Sequence, residues 1–279
     1  MNFVEDVRLR LAAVRARVAG AACASGREAS AVRIVAVTKR LGADAVRAAY
    51  AAGQRDFGEN YVQEAVTKIT QLAAEMPDAR WHLIGRLQSN KAAAAVRCFS
   101  LLHGIDSLAA VTAVSRAAIR EGRIADLLLQ VRLGRRGEAM GDAGPGPGET
   151  GPRGGEAGSR GGAAGPGSGE AALRGGVEAD DAAAFLAQAS LHEGIRFVGL
   201  MGVADPDFAA RPQFAGLREL AARLTALGLQ RAPLGELSMG MTGDLQEAVA
   251  EGATIVRIGT AIFGERPQEG ARERDDELR

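Results

Sequence analysis

The chain contains few of the residues that build metal centres and disulfide frameworks. Among its 279 residues there are two cysteines and three histidines, and none of them falls at a CxxC or other metal-ligand spacing. Acidic and basic residues balance at 34 each, so no overall field attracts nucleic acid or an anionic membrane surface. The composition therefore predicts no metal site, no nucleic-acid partner and a reducing cytoplasmic location.

Long uninterrupted apolar runs are also missing from the beginning of the chain. Its first 18 residues, MNFVEDVRLRLAAVRARV, mix charges at helical spacing, which fits neither a signal peptide nor a membrane span. The hydrophobic content of 47% is nevertheless enough for a sizeable core. We expect a globular protein without a membrane partner.

Lysine is scarce among the cations. The 34 basic residues include only three lysines, Lys39, Lys68 and Lys91. Lys39 ends the apolar run IVAVTK, and its amine, unlike a guanidinium, can lose a proton when partly desolvated and attack a carbonyl. An ordinary solvated lysine is the alternative. The residue type makes Lys39 a candidate for Schiff-base formation. Its position in the fold must decide between this interpretation and an ordinary solvated lysine.

Short apolar runs alternate with alanine-rich helical patterns along most of the chain. Glycines such as Gly53 and Gly252 stand just before the next run, where a helix end favours positive φ. Eight such runs predict a parallel (β/α)8 TIM barrel of the α/β class, preceded by an extra helix over residues 3–22. The predicted strands are 34–39, 56–60, 81–86, 101–106, 126–133, 197–203, 236–240 and 255–259.

Residues 134–176 interrupt this alternation. They hold 17 of the 37 glycines and almost no large apolar side chain, a composition that predicts a disordered Gly-rich insertion. The insertion falls between the fifth and sixth predicted strands, so we expect a single domain over residues 1–279. Residues 265–279 are expected to form a charged tail.

Two turns near the end of the chain are candidates for binding phosphate. LSMGMTGD and VRIGTAIFG each run from a predicted strand into small residues, and barrels commonly bind phosphate after strands seven and eight. Free backbone N–H groups there would be joined by the hydroxyls of Ser238, Thr242 and Thr260. The alternative is that the glycines only make tight turns.

Six stretches carry a resemblance to a known family. AVTKR, FGENYVQEA, WHLIGRLQSNKA, GLMGV, LSMGMTGDLQEAV and VRIGTAIFG resemble, in this order, the pyridoxal phosphate homeostasis proteins, single-domain relatives of the alanine racemase N-terminal barrel. The resemblance implies a barrel that carries pyridoxal 5′-phosphate (PLP) as an aldimine on Lys39. It also implies a part in intracellular PLP homeostasis without known catalytic turnover. PLP-dependent apoenzymes are the partners to expect, and we expect a monomer.

The same resemblance implies the other cofactor-binding residues. Asn60 would lie by the cofactor ring, Arg257 would face the pyridine nitrogen, and Ser238, Gly259 and Thr260 would hold the phosphate. A cationic arginine keeps the pyridine nitrogen unprotonated and weakens the electron sink on which carbanion chemistry depends. Arg257 is also a charge within an apolar strand and needs a partner if it is buried.

Two enzymes remain as alternatives on the same barrel, an amino-acid racemase and a Schiff-base aldolase. Racemisation needs a base on each face of the substrate Cα, and the only tyrosines are Tyr50 and Tyr61. Known racemases of this type resemble this barrel plus a further β-domain, and few residues follow the last predicted strand here. Arg174 stands where the family has an exposed loop lysine, which leaves a lysine-mediated transfer of PLP through that loop open.

The histidines are interpreted as structural. His82 and His103 lie within predicted strands, and no carboxylate stands at a metal-like spacing from either. We therefore expect packed barrel residues rather than acid or base groups. His192 is expected on a helix surface.

Overall fold

The computed structural model describes residues 2–134, 175–229 and 233–265. Nearly all of the predicted insertion and of the predicted charged tail lie outside the described residues. The strands are β1 (Arg33–Val37), β2 (Asp56–Glu59), β3 (Arg80–Arg86), β4 (Leu101–Ile105), β5 (Ala125–Gln130), β6 (Ile195–Met201), β7 (Glu236–Ser238) and β8 (Ile255–Ile258). The α-helices are α1 (Phe3–Ala24), α2 (Ala43–Ala51), α3 (Val62–Leu72), α4 (Ala92–Cys98), α5 (Leu108–Arg120), α6 (Ala182–Ala189), α7 (Ala210–Ala226), α8 (Leu245–Ala250) and α9 (Thr260–Phe263).

The strands form a closed barrel in sequence order, and β1 pairs in parallel with both β2 and β8. Helices follow the strands around the outside, so the prediction of a (β/α)8 barrel is confirmed. Because every strand runs in the same direction, all the carboxyl ends meet at one face. Functional groups of this fold are carried at that face.

The first strand ends two residues earlier than predicted. β1 stops at Val37, and residues 38–41 form a turn in which Leu41 N donates to Thr38 O over 3.0 Å. Arg40 has φ of 60°, as the third residue of a type II turn requires. This conformation ends the extended strand. Lys39 therefore lies in a turn above the barrel rather than on a strand.

The extra N-terminal helix predicted over residues 3–22 is confirmed as α1. One stripe of this helix is buried, formed by Val7, Leu11, Val14, Val18 and Ala22. The helix contacts α2, α8 and α9, which flank the two strands that close the barrel. It thus covers the junction of β1 and β8. None of the described helices combines the length and apolar character needed to cross a bilayer.

The barrel interior is a small apolar cluster, separate from the larger core between strands and helices. Its buried members are Val35, Val37, Ile84, Leu101, Leu128, Met201 and Ile255. Packing is tight enough that a Cβ added to Gly58 would lie 2.9 Å from Val35 Cγ1. The strands of the barrel also bury polar side chains, among them His82, His103, Ser238 and Arg257. Their partners are described with the site.

The described residues on either side of the insertion are joined to each other. Val131 forms a parallel bridge with Val177, with Arg132 N donating to Val177 O over 3.0 Å and Val177 N donating to Gln130 O over 2.9 Å. Gly176 has φ of 144°, and a Cβ there would lie 2.6 Å from Arg132 N. The chain therefore leaves the barrel and returns to it at adjacent points.

Candidate functional site

The candidate site residues lie on four neighbouring strands or directly after them. Ser238 is the last residue of β7, Arg257 lies in β8, Lys39 follows β1, and Asn60 follows β2. Val35 of β1 is in register with Arg257 of β8. Closure of the barrel therefore brings residues from the two ends of the chain onto one arc of its rim.

Lys68 supports the turn that carries Lys39. Its Nζ donates to Thr38 O over 2.9 Å, to Glu59 Oε1 over 2.7 Å and to Glu64 Oε1 over 3.3 Å. An ammonium group has three hydrogens to donate, so the amine of Lys68 is saturated. The side chain is 7% exposed. Lys68 is thus held as a buried cation against the turn that carries the half-buried Lys39.

The same turn is fixed by two carboxylates. Thr38 Oγ1 donates to Glu59 Oε1 over 2.6 Å, and Arg40 N donates to Glu64 Oε1 over 2.7 Å. The residues on both sides of Lys39 are therefore hydrogen-bonded to β2 and α3. We refer to Thr38, Glu59, Glu64 and Lys68 as the turn cluster.

Two buried acceptors at the end of β2 have no hydrogen-bond partner among the described residues. They are Glu59 Oε2 and Asn60 Oδ1. Burial raises the pKa of Glu59, and the charge and hydrogen bond of Lys68 oppose the increase. A buried polar atom without a partner is rare in native proteins and often marks a functional site. Asn60 is 6% exposed, so its amide oxygen is an unsatisfied acceptor within the described part of the chain.

Arg257 is a buried cation with neutral partners. Its Nη1 donates to Ser238 Oγ over 2.6 Å and its Nη2 donates to Gly202 O over 2.8 Å. Burial lowers the pKa of Arg257 to about 10, against the opposing charge of Asp244. The guanidinium therefore remains protonated at neutral pH. A buried Arg257 was expected to need hydrogen-bond partners, and these are a hydroxyl and a carbonyl oxygen.

The hydroxyl of Ser238 lies between two side chains of the barrel interior. It accepts from Arg257 and lies 2.8 Å from His103 Nδ1. A serine hydroxyl has one hydrogen, and a phosphate oxygen accepts hydrogen bonds but does not donate them. When that hydrogen is donated to His103, Ser238 cannot use it to hold a phosphate. The geometry therefore favours a role for Ser238 in orienting Arg257.

The two predicted phosphate turns come together through their threonines. Thr242 Oγ1 and Thr260 Oγ1 are 3.2 Å apart, and Gly259 is the N-cap residue of α9. The first N–H groups of a helix have no acceptor within that helix. Arg17 of α1 also reaches the first turn, donating to Thr242 O over 3.1 Å. This pair of turns offers hydroxyl and N–H donors side by side.

The two buried histidines are packed barrel residues, as predicted, but their hydrogen bonds lead to the candidate site. His82 Nδ1 lies 3.0 Å from His103 Nε2, and His82 Nε2 lies 3.0 Å from Asp56 Oδ1. No group of three or more His, Cys, Asp or Glu in the described ranges is arranged to hold a metal ion. His192 lies beyond the end of α6, with its Nε2 3.0 Å from Thr112 Oγ1, so its predicted place on a helix surface is wrong.

Sequence reasoning missed the roles of Lys68 and of the histidines. The scarcity of lysine, which pointed to Lys39, applied equally to Lys68. His82 and His103 stand at the third position of two consecutive strands, so strand alternation could have placed both in the barrel interior. Their link to Ser238 depends on strands that do not adjoin, and no local pattern encodes it.

The chain belongs to the class of barrels named after the N-terminal domain of alanine racemase. Residues 9–143 and 167–267 match the family described as alanine racemase, N-terminal domain. Within this class the chain belongs to the pyridoxal phosphate homeostasis protein family. It is 37% identical to the pyridoxal phosphate homeostasis protein of Pseudomonas aeruginosa over 259 residues, which cover 92% of this chain and 94% of that protein.

Solved structures agree with this assignment. PipY of Synechococcus elongatus, in its structure with PLP bound, shares 35% identity with a TM-score of 0.69, and the match covers 92% of this chain and 100% of PipY. Alanine racemase of Clostridium difficile gives a TM-score of 0.61 at 11% identity, over 95% of this chain and 58% of the racemase. The second similarity is one of fold alone.

Proposed function

We propose that this chain binds PLP at the carboxyl-end rim of its barrel, holds it on Lys39, and stores and delivers it without catalytic turnover. PLP supplies an aldehyde that reacts reversibly with a primary amine, together with a pyridine ring and a phosphate. The observation that carries the proposal is the position of Lys39 in a turn at the carboxyl-end rim, next to the buried oxygen of Asn60 that has no partner among the described residues. Hydrogen bonds fix this turn on both sides of Lys39.

The polar groups of the rim suit such a cofactor. The amide of Asn60 has a buried oxygen without a partner among the described residues, which supports a place beside the ring. The paired turns at Thr242 and Thr260, with Gly259 at the helix start, offer donors to a phosphate. We assign phosphate binding to these residues. We assign the hydroxyl of Ser238 a different role, which is to orient Arg257.

Arg257 supports a carrier rather than a catalyst. A cation facing the pyridine nitrogen disfavours its protonation, so the ring withdraws electrons less strongly. Holding a buried guanidinium there is costly unless neighbouring acceptors satisfy it, and Ser238 and Gly202 do so. An enzyme that stabilises carbanions would be served better by a carboxylate at this position.

Borohydride trapping tests the attachment. The protein and Lys39→Ala are incubated with PLP, reduced with borohydride, digested and mapped by mass spectrometry. We expect a single labelled peptide containing Lys39 in the parent and no label in the variant. A label on Lys68 or Lys91 would refute the assignment to Lys39. The absorption spectrum before and after reduction reports binding independently of the mapping.

A racemase is the alternative with a specific candidate residue. The hydroxyl of Tyr50 contacts Asp78, and Arg55 stacks on its ring at 4.1 Å, so Tyr50 is occupied outside the barrel. Tyr61 directly follows Asn60 and is 44% exposed. Incubation with L-alanine in heavy water, following Cα deuterium and D-alanine, should show no efficient turnover. Turnover that Tyr61→Phe abolishes would replace the carrier with an enzyme.

Delivery to an apoenzyme is the other half of the proposal. We propose a monomeric, single-domain carrier that passes PLP to PLP-dependent apoenzymes. The loaded protein, freed of excess PLP, should restore activity to an apoenzyme held in a separate dialysis chamber or mixed directly. Faster recovery on mixing supports direct transfer, and equal rates indicate release into solution. Because Arg174 replaces the family's loop lysine, Arg174→Lys tests whether that residue limits the rate.

A further inference from the structure

A continuous line of hydrogen-bonded side chains crosses the barrel from one end to the other. Its links are 3.0 Å between Asp56 and His82, 3.0 Å between His82 and His103, 2.8 Å between His103 and Ser238, and 2.6 Å between Ser238 and Arg257. These five residues are called the trans-barrel chain. All of them are buried.

The trans-barrel chain joins strands that are not neighbours. His103 is on β4 and Ser238 is on β7, so their contact spans the barrel interior. Asp56 is the first residue of β2 and borders a cavity of about 430 Å³ at the amino-end face. Arg80 donates to both of its carboxylate oxygens, over 2.8 Å and 2.6 Å. The chain therefore ends far from the rim that carries Lys39.

The donors of the chain can point in only one direction when both imidazoles are neutral. Asp56 is an acceptor only, so His82 carries its proton on Nε2 and donates to it. His82 Nδ1 is then an acceptor, and His103 donates to it from Nε2. His103 Nδ1 in turn accepts the hydrogen of Ser238, which itself accepts from Arg257. The reverse order would place an unprotonated imidazole nitrogen against the carboxylate.

Burial supports the neutral form of both histidines. It lowers the pKa of His82 against the opposing hydrogen bond from Asp56, and it lowers the pKa of His103 well below its usual range. Each neutral group then has its negative end towards Arg257 and its positive end towards Asp56. The aligned dipoles stabilise a buried cation at one end and a carboxylate at the other.

We propose that Asp56 is a positioning residue that fixes the orientation of Arg257 through the trans-barrel chain. The carboxylate is an acceptor only, so it sets the direction of every hydrogen bond above it. The consequence for the rim, which rests on the proposed function, is that the one hydrogen of Ser238 is always donated to His103, so only its lone pairs can face the guanidinium. Arg257 then keeps one orientation towards the cofactor ring.

Asp56→Asn is the test, because an amide both donates and accepts. Arg80 still requires an acceptor, so the amide oxygen should face Arg80 and the NH2 group should face His82 Nε2. Both imidazoles should then change from the Nε2–H to the Nδ1–H tautomer. Two-bond 15N–1H correlation spectra of the cofactor-free protein measure this directly. We also expect PLP affinity to fall by about tenfold (about 1.4 kcal/mol).

Asp126→Asn is the matched control. Asp126 stands at the start of β5 and is paired by both oxygens with Arg196 of β6, over 2.8 Å and 2.9 Å. This repeats the arrangement of Asp56 with Arg80, but without a histidine. Asp126→Asn should leave both tautomers unchanged and PLP affinity within twofold.

The possible results separate the inference from the proposed function. Unchanged tautomers in Asp56→Asn would refute the direction of the chain. A change of tautomers with PLP affinity equal to that of the parent would refute the effect on the rim. A parent that binds no PLP would refute the proposed function, while the spectra of the cofactor-free protein would still report the chain.

Ser238→Ala provides a second variant in case Asp56→Asn does not fold. It removes the link between Arg257 and His103 and leaves Asp56 intact. His82 and His103 should keep the Nε2–H tautomer, the His103 Nδ1 resonance should shift as it loses its donor, and PLP affinity should fall by about tenfold. Parent-like His103 spectra and affinity would refute the proposal.

Discussion

The turn cluster and the trans-barrel chain are two polar networks of the barrel, and they differ in completeness. In the trans-barrel chain every side chain from Asp56 to Arg257 has partners at hydrogen-bond distance. In the turn cluster one oxygen of Glu59 has none among the described residues, and neither has the amide oxygen of the adjacent Asn60.

This difference separates two tasks. A fully satisfied network rigidifies the residues it joins, which suits the orientation of Arg257. Unpaired acceptors are costly to bury, and they occur beside the turn that carries Lys39, where we propose that a cofactor binds. The two networks can be perturbed separately.

The largest effect is expected from breaking the turn cluster. Lys68→Met leaves the carboxyl of Glu59 buried without its cation, and loss of one partner of a buried pair costs about 3 to 5 kcal/mol. Chemical denaturation at pH 7 measures the loss in free energy of unfolding. The double variant Lys68→Met with Glu59→Gln should recover part of it, because no buried charge is then unpaired. A loss below about 1 kcal/mol in Lys68→Met would contradict the pairing.

Acid should weaken the trans-barrel chain next. Burial lowers the pKa values of His82 and His103, so the unfolded chain binds protons below pH ~6.5 that the folded chain does not. Stability should therefore fall steadily as pH decreases below ~6.5. Glu59, with its raised pKa, acts in the opposite direction. Denaturation curves across this range measure the loss. The control variant His192→Gln removes the one histidine outside the trans-barrel chain and should show the same loss. A flat profile would exclude buried neutral histidines.

The carboxylate of Asp56, in the trans-barrel chain, contributes to the free energy of unfolding over a lower range of pH. Burial would raise the pKa of Asp56, but hydrogen bonds from Arg80 and His82 outweigh it and lower the pKa to about 2. Its contribution, roughly 2 kcal/mol, is present above pH ~4 and is lost as pH falls towards ~2. Asp56→Asn should therefore be destabilised by that amount at neutral pH. Equal free energies of unfolding in parent and variant would show that the carboxylate is not specifically stabilised.

The smallest effect is expected from the insertion. Replacing residues 137–172 by a short Gly/Ser linker should change stability by about 1 kcal/mol or less, because loop-closure entropy varies slowly with length. The bridge between Val131 and Val177 already joins the two ends. Thermal unfolding and PLP binding should both match the parent. A large loss of either would mean that the insertion packs against the barrel. The effects of the two networks could then not be separated from that of the insertion.

The sequence predicted much of the fold because its signals are local. Apolar runs, glycines before strands and alanine-rich helices each depend on a few neighbouring residues. The end of β1 was misplaced because the run IVAVTK is apolar up to its lysine, whereas the chain turns at Thr38. The positive φ of Arg40 has no signal in its residue type, since arginine rarely adopts it.

The candidate residues were available in the sequence, but their relations were not. The scarcity of lysine marked Lys39, and a buried strand marked Arg257 as a charge that needs partners. Family resemblance placed Ser238 on a phosphate, whereas its hydroxyl lies between Arg257 and His103. These two contacts of Ser238 could be seen only in the tertiary structure, because β4 and β7 face each other only across a closed barrel.

The sequence by itself thus determined the class of fold and the extra helix, and it marked Lys39 as the candidate amine, because these follow from periodicity and residue chemistry. The tertiary structure decided which lysine is saturated, which hydroxyl serves a cation, and how Asp56 at one end of the barrel is connected to Arg257 near the other. The physical reason is that a hydrogen bond between side chains depends on distances of a few tenths of an ångström, and closure of the barrel sets those distances between residues far apart in the chain.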